Sequence, residues 1–190
     1  MGRIVSNFFI SMDGVVERPD QWHFPYFDDE MGEVVGSGMA STAAILMGHR
    51  LYDEWSQYWP AQGDRTRPAA ALNSRPKHVA STTLTATTWA GSSLLDGDLD
   101  AAVRALKAEP GRELQVHGSA VLVHSLAALD LVDGYRFIVA PVVAGSGVRL
   151  LEAGSAPVAF RLAESRTAPG GAQLQTYERT GPAETGIWAP

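Results

Sequence analysis

Cysteine is absent from the 190 residues, which excludes disulfides, thiolate metal ligands and a cysteine nucleophile and fits an intracellular protein. No apolar run approaches the roughly 20 residues that cross a bilayer. The N-terminus, Met1 to Asn7, enters a strand-like pattern at once, without the apolar core and cleavage site of a secretory signal. A soluble cytoplasmic protein is expected. Positive charge is scarce: 15 Lys and Arg face 21 Asp and Glu, for a net charge of -6. A broad nucleic-acid or anionic-membrane face is therefore not expected, and any phosphate site must be local. No G-x-G-x-x-G follows a strand, no G-x-S-x-G elbow is present, and His23, His49, His78, His117 and His124 lack metal-ligand spacing. These absences speak against a standard Rossmann site, a hydrolase and a metal centre. Ser119 with His117 is a remote serine-hydrolase alternative, because the residue types are close together but the elbow is missing.

Against these absences stands an alternation of strand-like and helix-like stretches that suits one domain over residues 1–180 with a C-terminal tail over 181–190. Arg3 to Met12 is almost continuously β-prone, as in a central strand covered on both faces. Asp13-Gly14 is a turn signal, and Asp28 is placed to cap a glycine-containing helix carried by Met31, Val34, Val35 and Met39. Ala44 to Gly48 reads as a strand and His49 to Pro60 as a helix. A short helix follows within Asp64 to Ser74, then a strand over Lys77 to Ala80. Asp98 caps a helix with Leu99, Val103 and Leu106 on one face, stopped by Pro110-Gly111. Glu113 to His117, Ser119 to Leu129 and Tyr135 to Val143 then read as strand, helix and strand. This βαβ pattern predicts a mostly parallel sheet. Val158 to Glu178, turning at Pro169-Gly170-Gly171, reads as an antiparallel hairpin. Trp188 is a candidate anchor for the tail.

Three turns carry the chemistry. Gly48-His49-Arg50, Ser81-Thr82-Thr83 and Gly118-Ser119-Ala120 each follow a strand. The carboxyl ends of parallel strands share one edge of a sheet, so these turns can meet one elongated ligand such as a dinucleotide. Arg50 suits a phosphate, the hydroxyls of Ser81, Thr82 and Thr83 a ribose 2′-phosphate, and the helix start at Gly118 and Ser119 a pyrophosphate. The plainer alternative, tight turns and a hydroxyl-capped loop, stays open for each. Asp13 and Asp28, with Asp29 beside it, can border the same cleft and orient or protonate a heterocycle, or serve only as turn and cap residues. Gly145 to Arg149 is either a backbone nest for an anion or an ordinary turn. His117 and His124 read as core or helix-surface residues.

The ordered set Asn7 with Ser11-Met12-Asp13-Gly14, Met47 to Tyr52, Pro76 to Ser81, Val116 to Ser119, Leu131 to Tyr135 and Pro141 to Gly147 resembles the dihydrofolate reductase-like superfamily. The similarity is greatest to the branch related to the reductase domain of the riboflavin-biosynthesis bifunctional deaminase-reductase. That resemblance implies a three-layer α/β/α fold, NADPH as hydride donor and frequent homodimers. It assigns Gly48, His49, Arg50, Ser81, Thr82 and Gly118, Ser119, Ala120, Val121 and Leu122 to the cofactor. It also places Asp13 near the nicotinamide as the candidate catalytic residue. Asn7, Trp22 and Asp28 become candidate substrate-binding residues, the last two in a loose imitation of the pterin-holding arrangement. The chain begins at the first reductase strand, so no preceding deaminase domain is expected. The expected activity is hydride transfer from NADPH to a C=N or C=O group of a pteridine- or pyrimidine-like molecule. The alternative is a non-catalytic NADP(H)- or nucleotide-binding dimer, paired through an exposed apolar hairpin surface.

Overall fold

The structure is a computed structural model that describes residues 1–151 and 157–184; Trp188 lies outside them. Eight strands form one sheet: β1 (Arg3–Ser11), β2 (Ala44–Gly48), β3 (Lys77–Ala80), β4 (Ser92–Leu94), β5 (Glu113–His117), β6 (Gly134–Ala140), β7 (Val158–Thr167) and β8 (Gln173–Pro182). Their order is β4-β3-β2-β5-β1-β6-β8-β7. The first six in that order are parallel, and the hairpin of β7 and β8 adds antiparallel to β6. Among the described residues five α-helices complete it: α1 (Asp29–Ser41), α2 (His49–Gln62), α3 (Arg67–Ser74), α4 (Leu99–Ala108) and α5 (Ala120–Ala128). The expected three-layer fold is observed.

The layers follow from side-chain alternation along the strands. Ile4, Phe8 and Ile10 of β1, with Leu46 and with Leu114 and Val116 of β5, join Val103 of α4 and Leu122 and Leu126 of α5 in one core. On the opposite face Ile45, Met47 and Val79 meet Tyr52 of α2 and Leu72 of α3. Nearer the hairpin, Met31 of α1 packs with Phe9, Ile138 and Leu174. Each fully buried leucine or isoleucine in these layers contributes about 2 to 3 kcal/mol.

Two strand ends and one missed strand stand out against the sequence reading. The sixth strand stops at Ala140 because Pro141 cannot donate to a ladder. The last strand runs through Pro182, two residues past the expected domain end at 180, because its register with β7 continues to Val158. The short β4 carries no periodic signal and escapes sequence reading. Tertiary hydrogen bonds hold it: Lys77 N–H donates to Gly91 O at 2.9 Å and Leu95 N–H to Val79 O at 2.9 Å. The fully buried Lys77 ammonium donates to the carbonyls of Asn73, Arg75 and Ala90 at 3.2, 2.7 and 3.1 Å, fastening α3 to this edge.

The amino-terminal end of the sheet is tied to its neighbours by side chains. Lys107 Nζ donates to Leu131 O at 3.0 Å and to Asp133, whose carboxylate also accepts the Ile4 N–H at 2.7 Å. The carboxyl-terminal end is where the glycine and hydroxyl turns lie. Among the described residues no helix is long and apolar enough to cross a membrane.

Candidate active site

The five helices divide by how they begin. Asp28, Thr66 and Asp98 cap α1, α3 and α4, each side chain accepting a first-turn N–H, from Met31, Ala69 and Ala101. Gly48 and Ser119 begin α2 and α5 with no side-chain cap. Past the Ala120 N–H, which Gly118 O accepts at 3.0 Å, the first-turn N–H groups of both helices lack intrahelical partners and lie at the carboxyl edge of the adjacent strands β2 and β5. These two starts are joined. Gly48 N–H donates to Ser119 Oγ at 2.9 Å, and a Cβ at Gly48 would lie 3.5 Å from that oxygen. Gly118 has φ of 66°, and a Cβ there would meet Leu51 at 3.3 Å. Glycine is required at 118 by both conformation and space.

The third turn is hooked to the first. His49 Nδ1 lies 2.9 Å from Thr83 Oγ1, and its Nε2 lies 2.9 Å from Asp53. Ser81 does what the plainer reading described: its hydroxyl accepts the N–H groups of Thr83 and Leu84 at 3.1 and 2.9 Å. Thr82 is exposed beside it. Arg50, also exposed, has Glu17 at 3.7 Å and Glu54 at 3.4 Å as ion-pair partners. Gly48, His49, Thr83, Gly118 and Ser119 are therefore brought together, with Ala120, Val121 and Leu122 forming the first turn of α5.

The acidic candidates are engaged by the protein itself. Asp13 accepts the Ser11 hydroxyl at 2.6 Å, the N–H groups of Ala144 and Gly145 at 2.9 and 3.0 Å, and Arg149 at 3.2 Å. The Ser11 hydroxyl, then the Ala144 N–H, hold its carboxyl down to a pKa of about 2. The nest read in Gly145 to Arg149 exists, and its anions are Asp13 and Glu17, the latter accepting the Val148 N–H at 3.2 Å. A carboxylate so held, with Arg149 as its counter-ion, fixes a loop and is not poised to give a proton. Asp28 caps α1 and accepts the Gly170 N–H at 2.9 Å, tying the helix to the hairpin turn. The Met31 N–H, then that of Gly170, holds its carboxyl below the usual range. Trp22 Nε1 donates to Glu17 O at 3.2 Å.

On the sheet face beneath α1 and α2 lies a polar row that sequence reasoning missed. Arg136 of β6 donates twice to Glu113 of β5, at 2.7 and 2.9 Å. Gln115 Nε2 donates to Glu113 at 2.6 Å and to Gly38 O of α1 at 2.9 Å. Gln115 Oε1 is 3.0 Å from His117 Nε2. Asn7 sits between these strands, opposite both His117 and Arg136. Trp55 of α2 flanks the histidine at 6.2 Å between ring centroids. Burial, then the nearby Arg136 charge, pushes the His117 pKa down to about 4. The available signal was the alternation of Glu113, Gln115 and His117, which puts three polar side chains on one face of a strand. His117 is bonded into this row and Ser119 to Gly48, so the hydrolase pairing is not formed.

Comparison with known proteins matches residues 3–174 to the RibD C-terminal domain. The chain belongs to the RibD C-terminal domain family. Among relatives, it is 27% identical over 183 residues to the uncharacterised protein YyaP of Bacillus subtilis (strain 168), spanning 94% of this chain and 96% of that one. The fold is similar to a provisionally named riboflavin biosynthesis protein from Shewanella sp. PV-4, with TM-score 0.75, 20% identity and coverage of 94% and 99% of the two chains. It is also similar to a pyrimidine reductase-like protein from Corynebacterium diphtheriae, with TM-score 0.61, 13% identity and coverage of 94% and 92%. For this RibD C-terminal domain, then, superfamily and architecture agree with the residues that carried the resemblance.

Proposed function

We propose that this RibD C-terminal domain is a reductase that takes hydride from NADPH and delivers it to a C=N or C=O group of a pteridine- or pyrimidine-like molecule. The observation that carries the reading is the pair of uncapped helix starts, locked together by the Gly48–Ser119 hydrogen bond and joined to the third turn through His49 and Thr83. Two helix starts without side-chain caps, their dipoles aimed at one edge, suit the phosphates of a dinucleotide. The residues present fit that group: Gly48, His49 and Arg50 on one side, Gly118 to Leu122 on the other, and Ser81, Thr82 and Thr83 along the third. Gly48 and Gly118 let the two turns pack closely on Ser119 and Leu51, and the Arg50 guanidinium exchanges Glu17 or Glu54 for a phosphate. When bound, the nicotinamide supplies the hydride. Around it, Asp13 holds the loop over residues 144–149, while the protein positions the acceptor ring.

Fluorescence titration with NADPH and NADH, followed by NADPH absorbance against dihydrofolate, dihydropteridines and ribosylamino-pyrimidines, tests the proposal. Saturable NADPH binding with oxidation by one member of the panel is expected. Tight binding with no oxidation across the panel would favour a non-catalytic nucleotide-binding dimer. Asp13→Asn is expected to keep NADPH affinity and lower turnover, and unchanged turnover would leave Asp13 a loop anchor only.

A further inference from the structure

The polar row on the sheet has a direction. Arg136 has only donors, and both of its bonds end on the Glu113 carboxylate, which can only accept. Gln115 then spends both amide hydrogens on obligate acceptors, that carboxylate and the Gly38 carbonyl. The orientation of the amide is thereby forced, and its oxygen faces His117. That oxygen accepts, so the imidazole must donate from Nε2. In a neutral ring Nδ1 is then bare, and among the described residues no donor reaches it.

The surroundings suit a flat, uncharged ligand. Arg136 and Glu113, the charged groups of the row, neutralise each other. From α2 the histidine meets the Trp55 ring, and from α1 the row receives the Gly38 carbonyl. Along β1, Asn7 lies beside it, followed on the same face by Phe9, whose ring stands 4.4 Å from His23 and 6.2 Å from Phe27. A bare acceptor beside aromatic walls matches a planar heterocycle that carries a ring N–H.

We propose that His117 Nδ1 accepts a hydrogen bond from a ring N–H of the substrate, and that Gln115, Glu113 and Arg136 are positioning residues that hold the imidazole in that tautomer. The assignment rests on the reductase reading for the word substrate. The tautomer itself does not. Burial and the Arg136 charge keep the ring neutral, its pKa pushed down to about 4, so the acceptor persists at neutral pH.

Long-range ¹H–¹⁵N spectra of the free, full chain at neutral pH, with His117 assigned by its absence in His117→Phe, test this directly. A protonated Nε2 and an unprotonated Nδ1 are expected, and a protonated Nδ1 overturns the proposal. Adding millimolar pterin should shift the Nδ1 signal as it accepts the bond, and the N3-methyl derivative should bind about tenfold more weakly, the loss of one hydrogen bond. An unmoved Nδ1 signal, or equal affinity for the two probes, also overturns it. Gln115→Met should mix the two tautomers and weaken pterin by a similar factor while NADPH affinity is unmoved. A single Nε2–H tautomer in that variant would remove Gln115 from the positioning role. Failure of the wild-type chain to bind NADPH would sink the reductase reading alone, because the spectra are taken without cofactor.

Discussion

Strands β1 and β5 show two different proteins on their two faces. On the side of α4 and α5, Ile4, Phe8, Ile10, Leu114 and Val116 form an apolar core with almost no directional demands. On the side of α1 and α2, the same strands turn Asn7, Glu113, Gln115 and His117 inward, joined by Arg136 from β6. The first face is held by area removed from water, which tolerates repacking. The second must satisfy every donor and acceptor through its neighbours, so each partner dictates the orientation of the next. Between these two strands, directional demands are therefore concentrated on the second face, where they coexist with apolar contacts such as that of Phe9.

The contrast can be broken most severely from the apolar side. Leu114→Ala opens a cavity in a site only 1% exposed and should lower the unfolding free energy by about 3 kcal/mol in urea titrations, leaving the His117 tautomer as it was. Glu113→Ala should cost about 2 kcal/mol, because it strands the Arg136 charge and the Gln115 amide on a partly buried surface. A double-mutant cycle with Arg136→Met should recover much of that loss, and strict additivity would mean the pair is not coupled.

Acid distinguishes the faces next. The folded-state pKa of His117 is depressed, from 6.5 to about 4, so its contribution is fully present above pH 6.5 and disappears as pH falls toward 4. Asp13, lowered from 3.8 to about 2, adds a second loss that begins only below 3.8. The urea midpoint should decline between pH 6.5 and 4, and His117→Phe should flatten that segment without altering the lower one. The smallest effect is expected at Ser6, a fully buried residue on the apolar face whose hydroxyl has no partner. Ser6→Ala should leave stability unchanged or raise it by up to about 1 kcal/mol, and a loss would show that the hydroxyl is satisfied after all.

Much of the molecule is legible along the chain where the physics is local. Asp28 and Asp98 announce helix starts because a short acceptor beside a helical apolar pattern caps a first turn. Gly48 and Gly118 mark turns, and Pro141 ends a strand. Distances between distant residues are not legible in this way. The same carboxylate that reads as a catalytic candidate at Asp13 is fastened by N–H groups more than a hundred residues later. Ser81 reads as a ligand hydroxyl and is found holding its own turn. His117 reads as an ordinary core or surface histidine, because its partners are identified only once β5, β1 and β6 are set side by side.

The sequence by itself determined the alternation of strands and helices, the glycines and hydroxyls that follow strand ends, and the superfamily, because these depend on side-chain period and local backbone preference. Only the tertiary structure decided that the two uncapped helix starts stand together, that Asp13 serves a loop, and that Glu113, Gln115 and Arg136 orient His117. Hydrogen bonds between side chains act over about 3 Å. Which groups come within that range is settled by strand order and register rather than by position along the chain.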